Sequence, residues 1–169
     1  MKKHCKKSNA ALVLFVGYCA LMLYLLFIRN RTGQSDLPYW QQVMDNYNLN
    51  PLRTISNYWD VLSRPEYYMT KWGSAAVYEQ QARFAVVNLV GNVLMFIPLG
   101  FFLPLLWKKM QRIWKTFLLT GMLIVLVEMT QLLTLRGSCD VDDLILNLSG
   151  VIVGYVLWRL LLLCSRVIR

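Results

Sequence analysis

Apolar residues dominate four long stretches of the chain, each close to the length that a helix needs to cross a bilayer. The stretches run from Ala10 to Ile28, from Phe84 to Trp107, from Thr116 to Leu135 and from Leu144 to Cys164. A membrane-spanning helix requires about 20 mostly apolar residues. A helix of a soluble bundle has a polar face, whereas the first stretch holds no charged residue at all. The pattern predicts an all-α integral membrane bundle of about four transmembrane helices.

Composition and charge support a membrane protein. Hydrophobic residues make up 57% of the chain and charged residues 16%, against about 25% charged in a typical soluble domain. The formal net charge of +9 would suggest nucleic acid in a soluble protein, but here the basic residues lie at the ends of the apolar stretches. Cytoplasmic loops retain Lys and Arg. We therefore predict no nucleic-acid partner, and we place the N-terminus, the connection from Lys108 to Lys115 and the C-terminus in the cytoplasm.

The connection from residue 29 to residue 83 then lies outside the cytoplasm. It is rich in Trp and Tyr, namely Trp40, Tyr47, Trp59, Tyr67, Tyr68, Trp72 and Tyr78. These residue types are enriched at membrane–water interfaces. We expect an extracytoplasmic connection that carries short interfacial helices, within a single membrane domain of residues 1–169.

The first apolar stretch is predicted to be retained as a span. Lysines precede it, as in a signal peptide, but no small-residue cleavage site follows it. The four cysteines show no metal-ligand spacing. Only Cys139 would face an oxidising compartment, so we expect no intramolecular disulfide.

The predicted topology brings polar residues of three spans to one depth near the outer side. Residues three or four apart share a helix face, so each span presents its own polar pair. Arg136 and Asp140 lie in the short connection beside them. The candidate binding residues are Asn88, Asn92, Glu128, Gln131, Arg136, Asp140, Asp143 and Asn147.

Glu128 is the costliest of these residues, because a charge at a span centre costs about 2.5–3.5 kcal/mol. It should face the bundle interior, where it is either protonated or paired with Arg136. The alternative for the amides is interhelical hydrogen bonding, worth about 0.6 kcal/mol each. The aspartates could simply cap the fourth span. Gly150 and Gly154 are spaced for close helix packing.

Three blocks of the sequence resemble the signature motifs of VanZ-like proteins. Asn88 to Gly100 resembles the pattern N-x-x-x-N-x-x-x-F-x-P-x-G. Glu128 to Gly150 resembles a pattern of E-x-x-Q, R, D-x-x-D and N-x-x-G. Asn48 to Ile55 is similar to N-L-x-P-F-x-T-I, with Leu52 where the family often has Phe. The resemblance covers Tyr47 to Tyr155.

The resemblance implies a multi-pass protein of the bacterial plasma membrane. The family's named member is linked to low-level resistance to teicoplanin, a glycopeptide that binds cell-wall precursors, but the resemblance supplies no reaction. The bilayer is the expected environment. The expected ligand at the outer leaflet is a lipid-linked wall precursor, a lipid headgroup or the glycopeptide.

Three functions remain open at this point. The first is a binding or accessory role in the cell envelope. The second is an intramembrane enzyme that acts on a lipid-linked substrate, with Glu128 and either Asp140 or Asp143 as general acid and base. A metal-dependent version would use these residues and Asp142 as oxygen ligands, although we predict no metal and no cofactor. The third is a small transporter with Glu128 as proton site.

Overall fold

The computed structural model describes residues 2–29 and 36–167, and this part of the chain is almost entirely helical. Two strands of two residues each form the only sheet within it. The helices are α1 (Lys2–Tyr24, continued by a π-helical turn, Leu25–Arg29), α2 (Tyr39–Asp45), α3 (Arg53–Ser63), α4 (Pro65–Trp72), α5 (Ala75–Leu106), α6 (Ile113–Leu133) and α7 (Val141–Val167), with a 3₁₀ turn at Lys108–Gln111; the strands are β1 (Tyr47–Asn48) and β2 (Cys139–Asp140).

Four of the described helices are long and apolar enough to cross a membrane. Their candidate spans are Asn9–Ile28, Ala75–Leu106, Ile113–Leu133 and Val141–Cys164. The predicted all-α membrane bundle is therefore confirmed, and the long connection carries the short helices α2, α3 and α4 as expected. Helix α5 begins ahead of its apolar window, because Ser74 caps it by accepting the backbone N–H of Val77.

Helices α5 and α7 form the closest helix pair of the bundle. Gly150 and Gly154 of α7 face the backbone carbonyls of Val93 and Ile97, and a β-carbon at either glycine would overlap those carbonyls. Gly100 of α5 faces the backbone of α7 in the same way. Small residues allow helix backbones to approach in a membrane, so the predicted packing role of Gly150 and Gly154 is confirmed.

Side-chain contacts place the helix ends on two opposite sides of the bundle. On the first side, called the loop side, the Tyr39 hydroxyl donates to the carbonyl of Leu133 at 2.7 Å, and β1 pairs in parallel with β2. On the second side, called the basic side, the Tyr155 hydroxyl donates to the carbonyl of Gln111 at 2.7 Å. The segment from Lys108 to Lys115 lies there.

The first prediction concerns which side faces the cytoplasm. In a chain whose own cysteines are replaced by alanine, we expect a membrane-impermeant thiol reagent to label Leu49→Cys in intact cells. Lys109→Cys should react only after the cells are permeabilised, because basic connections stay in the cytoplasm. Both positions are exposed. The opposite labelling pattern would invert the topology.

Native Cys139 is a poor reporter for this experiment. Burial raises the pKa of its thiol, and the nearby carboxyl groups of Glu128, Asp140 and Asp143 raise it further. A raised pKa leaves less of the reactive thiolate at neutral pH. Absence of labelling at Cys139 would therefore carry no information about the side on which it lies.

The second prediction concerns the contact between α5 and α7. Gly154→Ala should lower the thermal stability of the purified protein, because its methyl group would force the two helices apart; overpacking of this kind costs about 1–3 kcal/mol. Gly121→Ala is the matched control, since the nearest atom to its added methyl would be a Leu148 side-chain carbon at 3.9 Å. Equal unfolding temperatures for the two variants would contradict the packing role.

Candidate functional site

Asp142 fastens the long connection to the start of α7. Its carboxylate accepts the backbone N–H groups of Leu52 at 2.5 Å, Thr54 at 2.7 Å and Ile55 at 3.0 Å. Helix α3 begins at Arg53, so these donors belong to its first turn, where N–H groups have no partner within the helix. Asp142 is fully buried. It therefore caps α3 across the fold, rather than its own helix.

Asp140 makes a second set of bonds to the same segment. Its carboxylate accepts the Thr54 hydroxyl at 2.5 Å, the Asn48 amide at 3.2 Å and the backbone N–H of Asp142 at 2.9 Å. Asn48 also pairs with Asp140 in the small sheet. We call these contacts of Asp140 and Asp142 the clamp. Asp140, a predicted binding residue, lies in the clamp and not in the wall of the cavity described next.

A cavity of about 790 Å³ lies between α1, α5, α6 and α7. Seven of the eight predicted binding residues line it, and they come from all three spans that the sequence singled out. They are Asn88, Asn92, Glu128, Gln131, Arg136, Asp143 and Asn147. The predicted convergence of polar residues is thus present in the structure, although convergence alone does not establish a function.

Helix α1 supplies an apolar wall that the sequence did not reveal. Tyr18, Leu21, Met22, Leu25 and Leu26 line the cavity from that side. The Tyr18 hydroxyl donates to the carbonyl of Met95 on α5 at 2.8 Å. The tyrosines of this apolar stretch, Tyr18 and Tyr24, were the available signal, because a buried phenol needs a hydrogen-bond partner.

Gln131 and Arg136 bind the end of α1. The Gln131 amide donates to the carbonyl of Leu26 at 2.9 Å, and the Arg136 guanidinium donates to that of Phe27 at 2.7 Å. The last carbonyls of a helix have no partner within it, and a cation suits that end of the helix dipole. Among the described residues, ion pairs occur only at Asp60 and Glu79, so the predicted alternative of a Glu128–Arg136 pair is wrong.

The two asparagines of α5 differ in their contacts. The Asn92 amide donates to the carboxylate of Asp143 on α7. The Asn88 amide donates to the carbonyl of Phe84 in its own helix at 2.8 Å. Asn92 therefore joins two helices, as expected for interhelical hydrogen bonding, whereas Asn88 only lines the cavity.

Glu128 and Asn147 each have a buried oxygen without a hydrogen bond. Glu128 is 6% exposed and Asn147 is 3% exposed. Oε2 of Glu128 and Oδ1 of Asn147 have no donor among the described residues. Buried polar atoms are almost always hydrogen-bonded, and both residues line the cavity. Each of these two lining residues therefore keeps one buried oxygen without a hydrogen-bond partner among the described residues.

Two other carboxyl groups, those of Asp143 and Asp140, act on Glu128. They also act on Tyr58 of α3, where burial raises the pKa of the hydroxyl and the two carboxyl groups raise it further. In the described part of the chain, no three His, Cys, Asp or Glu side chains are placed to hold a metal ion.

The rim of the cavity is apolar and exposed. Leu21 of α1 is 56% exposed, and Phe84 and Leu94 of α5 are 57% and 58% exposed. All three line the cavity and lie within candidate spans. The cavity is thus lined by exposed apolar side chains of α1 and α5 as well as by polar groups.

Comparison with known proteins gives one finding. The family model described as VanZ/LLP1 matches residues 15–162, which include α1 from Phe15 onward, the clamp and every residue of the cavity wall. Neither the curated proteins nor the solved structures contain a match.

The third prediction tests the clamp. Asp142→Asn should destabilise the protein, because an amide has one acceptor oxygen and would turn its NH₂ group toward a backbone donor. A hydrogen bond to a charged group is worth about 1.5–3 kcal/mol, so we expect a lower unfolding temperature and less protein in the membrane. Asp45→Asn is the control, since it makes the same charge change at an exposed position. Indistinguishable stabilities would rule out the capping role.

Proposed function

The chain belongs to the VanZ/LLP1 family of membrane proteins, and from this premise we propose that it binds the headgroup of a cell-envelope lipid in the cavity, as a binding or accessory protein of the bacterial plasma membrane. In this proposal the loop side faces outward and the cavity opens to the outer leaflet. A lipid-linked wall precursor and a membrane phospholipid are the two kinds of lipid with the required form.

The observation that carries the proposal is the mixed lining of the cavity. Asn92, Glu128 and Asn147 are polar lining residues, whereas Leu21 and Leu94 are apolar lining residues that are more than half exposed. A water-soluble ligand would need no exposed apolar lining within the candidate spans. An amphiphile fits both kinds of lining, because its headgroup can meet the polar side chains while its chain stays beside the apolar ones.

The size of the cavity agrees with a headgroup rather than with a whole lipid. Its volume of about 790 Å³ is within the usual range of roughly 300–1,000 Å³ for small-molecule sites. The acyl or prenyl chain would then remain in the bilayer, so that binding would not require its removal from lipid. Binding of this kind would change which lipids are available at the outer surface, and this provides a route to altered glycopeptide susceptibility.

An intramembrane enzyme is the second candidate, and one observation favours it. Glu128 and Asp143 both line the cavity, and two carboxyl groups in one site can act as general acid and base. Asp140 is the weaker partner for such chemistry, because its carboxylate already accepts three hydrogen bonds in the clamp. Conversion of the bound lipid into a new species would favour this candidate over simple binding.

The fourth prediction tests lipid binding. Gly91→Phe should fill the cavity, because Gly91 lines it and the nearest atom to an added β-carbon is a Val87 methyl at 4.0 Å. We expect the lipid retained by the purified protein, measured by native mass spectrometry after detergent exchange, to fall by about tenfold, which corresponds to 1.4 kcal/mol.

Gly17→Phe is the matched control for this experiment. Gly17 has no atom within 4 Å of an added β-carbon and does not line the cavity. Both variants should fold and insert like the original chain. Equal lipid retention by the two variants would contradict binding in the cavity.

A further inference from the structure

The two unpaired acceptors in the cavity indicate what kind of headgroup the site is built for. We propose that the bound lipid carries a phosphate joined through a short linker to a primary ammonium, with the ammonium at Glu128 and Asn147 and the phosphate at Arg136. This inference rests on the proposed lipid binding and names the ligand class within it.

The ammonium end follows from hydrogen bonding and charge together. A primary ammonium has three N–H donors and one positive charge. It would donate to Oε2 of Glu128 and Oδ1 of Asn147, the two buried atoms that have no donor. It would also place its positive charge beside the carboxyl groups of Glu128 and Asp143, which have no cation within ion-pair distance among the described residues. A hydroxyl has a single donor and could not serve both oxygens.

The phosphate end follows from the donors of Arg136. A guanidinium has five N–H donors in a planar fork that matches phosphate. Within the described chain, Arg136 uses one donor, to the carbonyl of Phe27, and no carboxylate lies within ion-pair distance of it. Arg136 also lines the cavity. Its bond to Phe27 fixes the side chain in place, so that its remaining donors are preorganised for an anion.

The separation of the two ends fits a short linker. Arg136 and Gln131 bind carbonyls of consecutive residues, Phe27 and Leu26, so their head groups lie at nearly the same depth. Glu128 lies three residues before Gln131 on α6, an offset of about 4.5 Å along the helix axis at 1.5 Å per residue. A two-carbon linker between a phosphate oxygen and a nitrogen can span an axial offset of this size.

The test compares headgroups on the unmodified protein. Nanodiscs of phosphatidylcholine, whose quaternary nitrogen has no N–H, would contain the protein and a small fraction of tail-labelled probe lipid. The probes are phosphatidylethanolamine, phosphatidylglycerol, which has hydroxyls in place of the ammonium, and a glucosyl diacylglycerol, which lacks phosphate. We expect phosphatidylethanolamine to bind at least about tenfold more tightly than each of the others.

Two variants assign the ends of the headgroup. Glu128→Gln keeps the shape of the side chain and removes its charge, so it should reduce phosphatidylethanolamine binding to the level of phosphatidylglycerol and leave phosphatidylglycerol unchanged. Arg136→Gln should weaken both phospholipids and leave the glucosyl lipid unchanged. Unfolding temperatures near that of the original chain would show that the variants fold. The comparison of headgroups uses the original chain and does not depend on the variants.

The outcomes separate this inference from the proposed function. Equal binding of all three probes, or a preference for phosphatidylglycerol or for the glucosyl lipid, would overturn the phosphate–ammonium assignment while lipid binding stands. Failure of every probe to bind, together with no lipid retained from cell membranes, would overturn lipid binding itself.

Discussion

The close contact between α5 and α7 is the interaction on which the rest of the bundle depends. A membrane offers little hydrophobic drive for helix association, so helices associate through packing and interhelical hydrogen bonds. Gly150 and Gly154 allow α7 to approach the carbonyls of α5, and Gly100 allows the reciprocal approach. With the two axes this close, Asn92 reaches the carboxylate of Asp143. The polar wall of the cavity is thus a direct consequence of the glycine contact.

Helix α1 is held differently, by side-chain hydrogen bonds and ring contacts. Its described hydrogen bonds to the rest of the bundle come from Tyr18 near its middle and from Gln131 and Arg136 at its end. Phe15 of α1 also packs against Phe102 of α5, with ring centroids 5.9 Å apart. On the loop side, the clamp holds α3, and its Tyr58 ring packs against Phe84 of α5 with centroids 6.1 Å apart.

The sequence was sufficient for the spans and for most of the cavity wall, because both follow from periodicity along single helices. Apolar length predicts a span, and spacings of three and four place Glu128 with Gln131 and Asp143 with Asn147 on common faces. The sequence predicted the cap that Asp140 provides for α7, where its carboxylate accepts the backbone N–H of Asp142. It was not sufficient for the bonds of Asp140 and Asp142 to the long connection, because those partners lie some 90 residues away, as in the Leu52–Asp142 bond. The resemblance of Asn48 to Ile55 to a family motif marked the segment without showing what it contacts.

The sequence left open whether the polar residues join helices by hydrogen bonds or form a binding site. The hydrogen bonds of the structure distinguish the residues to which the first interpretation applies. Interhelical bonding accounts for Asn92 and Gln131, whose amides donate to Asp143 and Leu26. It does not account for Glu128 and Asn147, since each keeps a buried oxygen without a donor. Leaving a buried polar group unpaired costs about 1–3 kcal/mol, and apolar side chains at these positions would avoid that cost. The clamp shows that the same fold can satisfy buried carboxylates completely. In the proposed function, a bound headgroup would supply donors to these two oxygens.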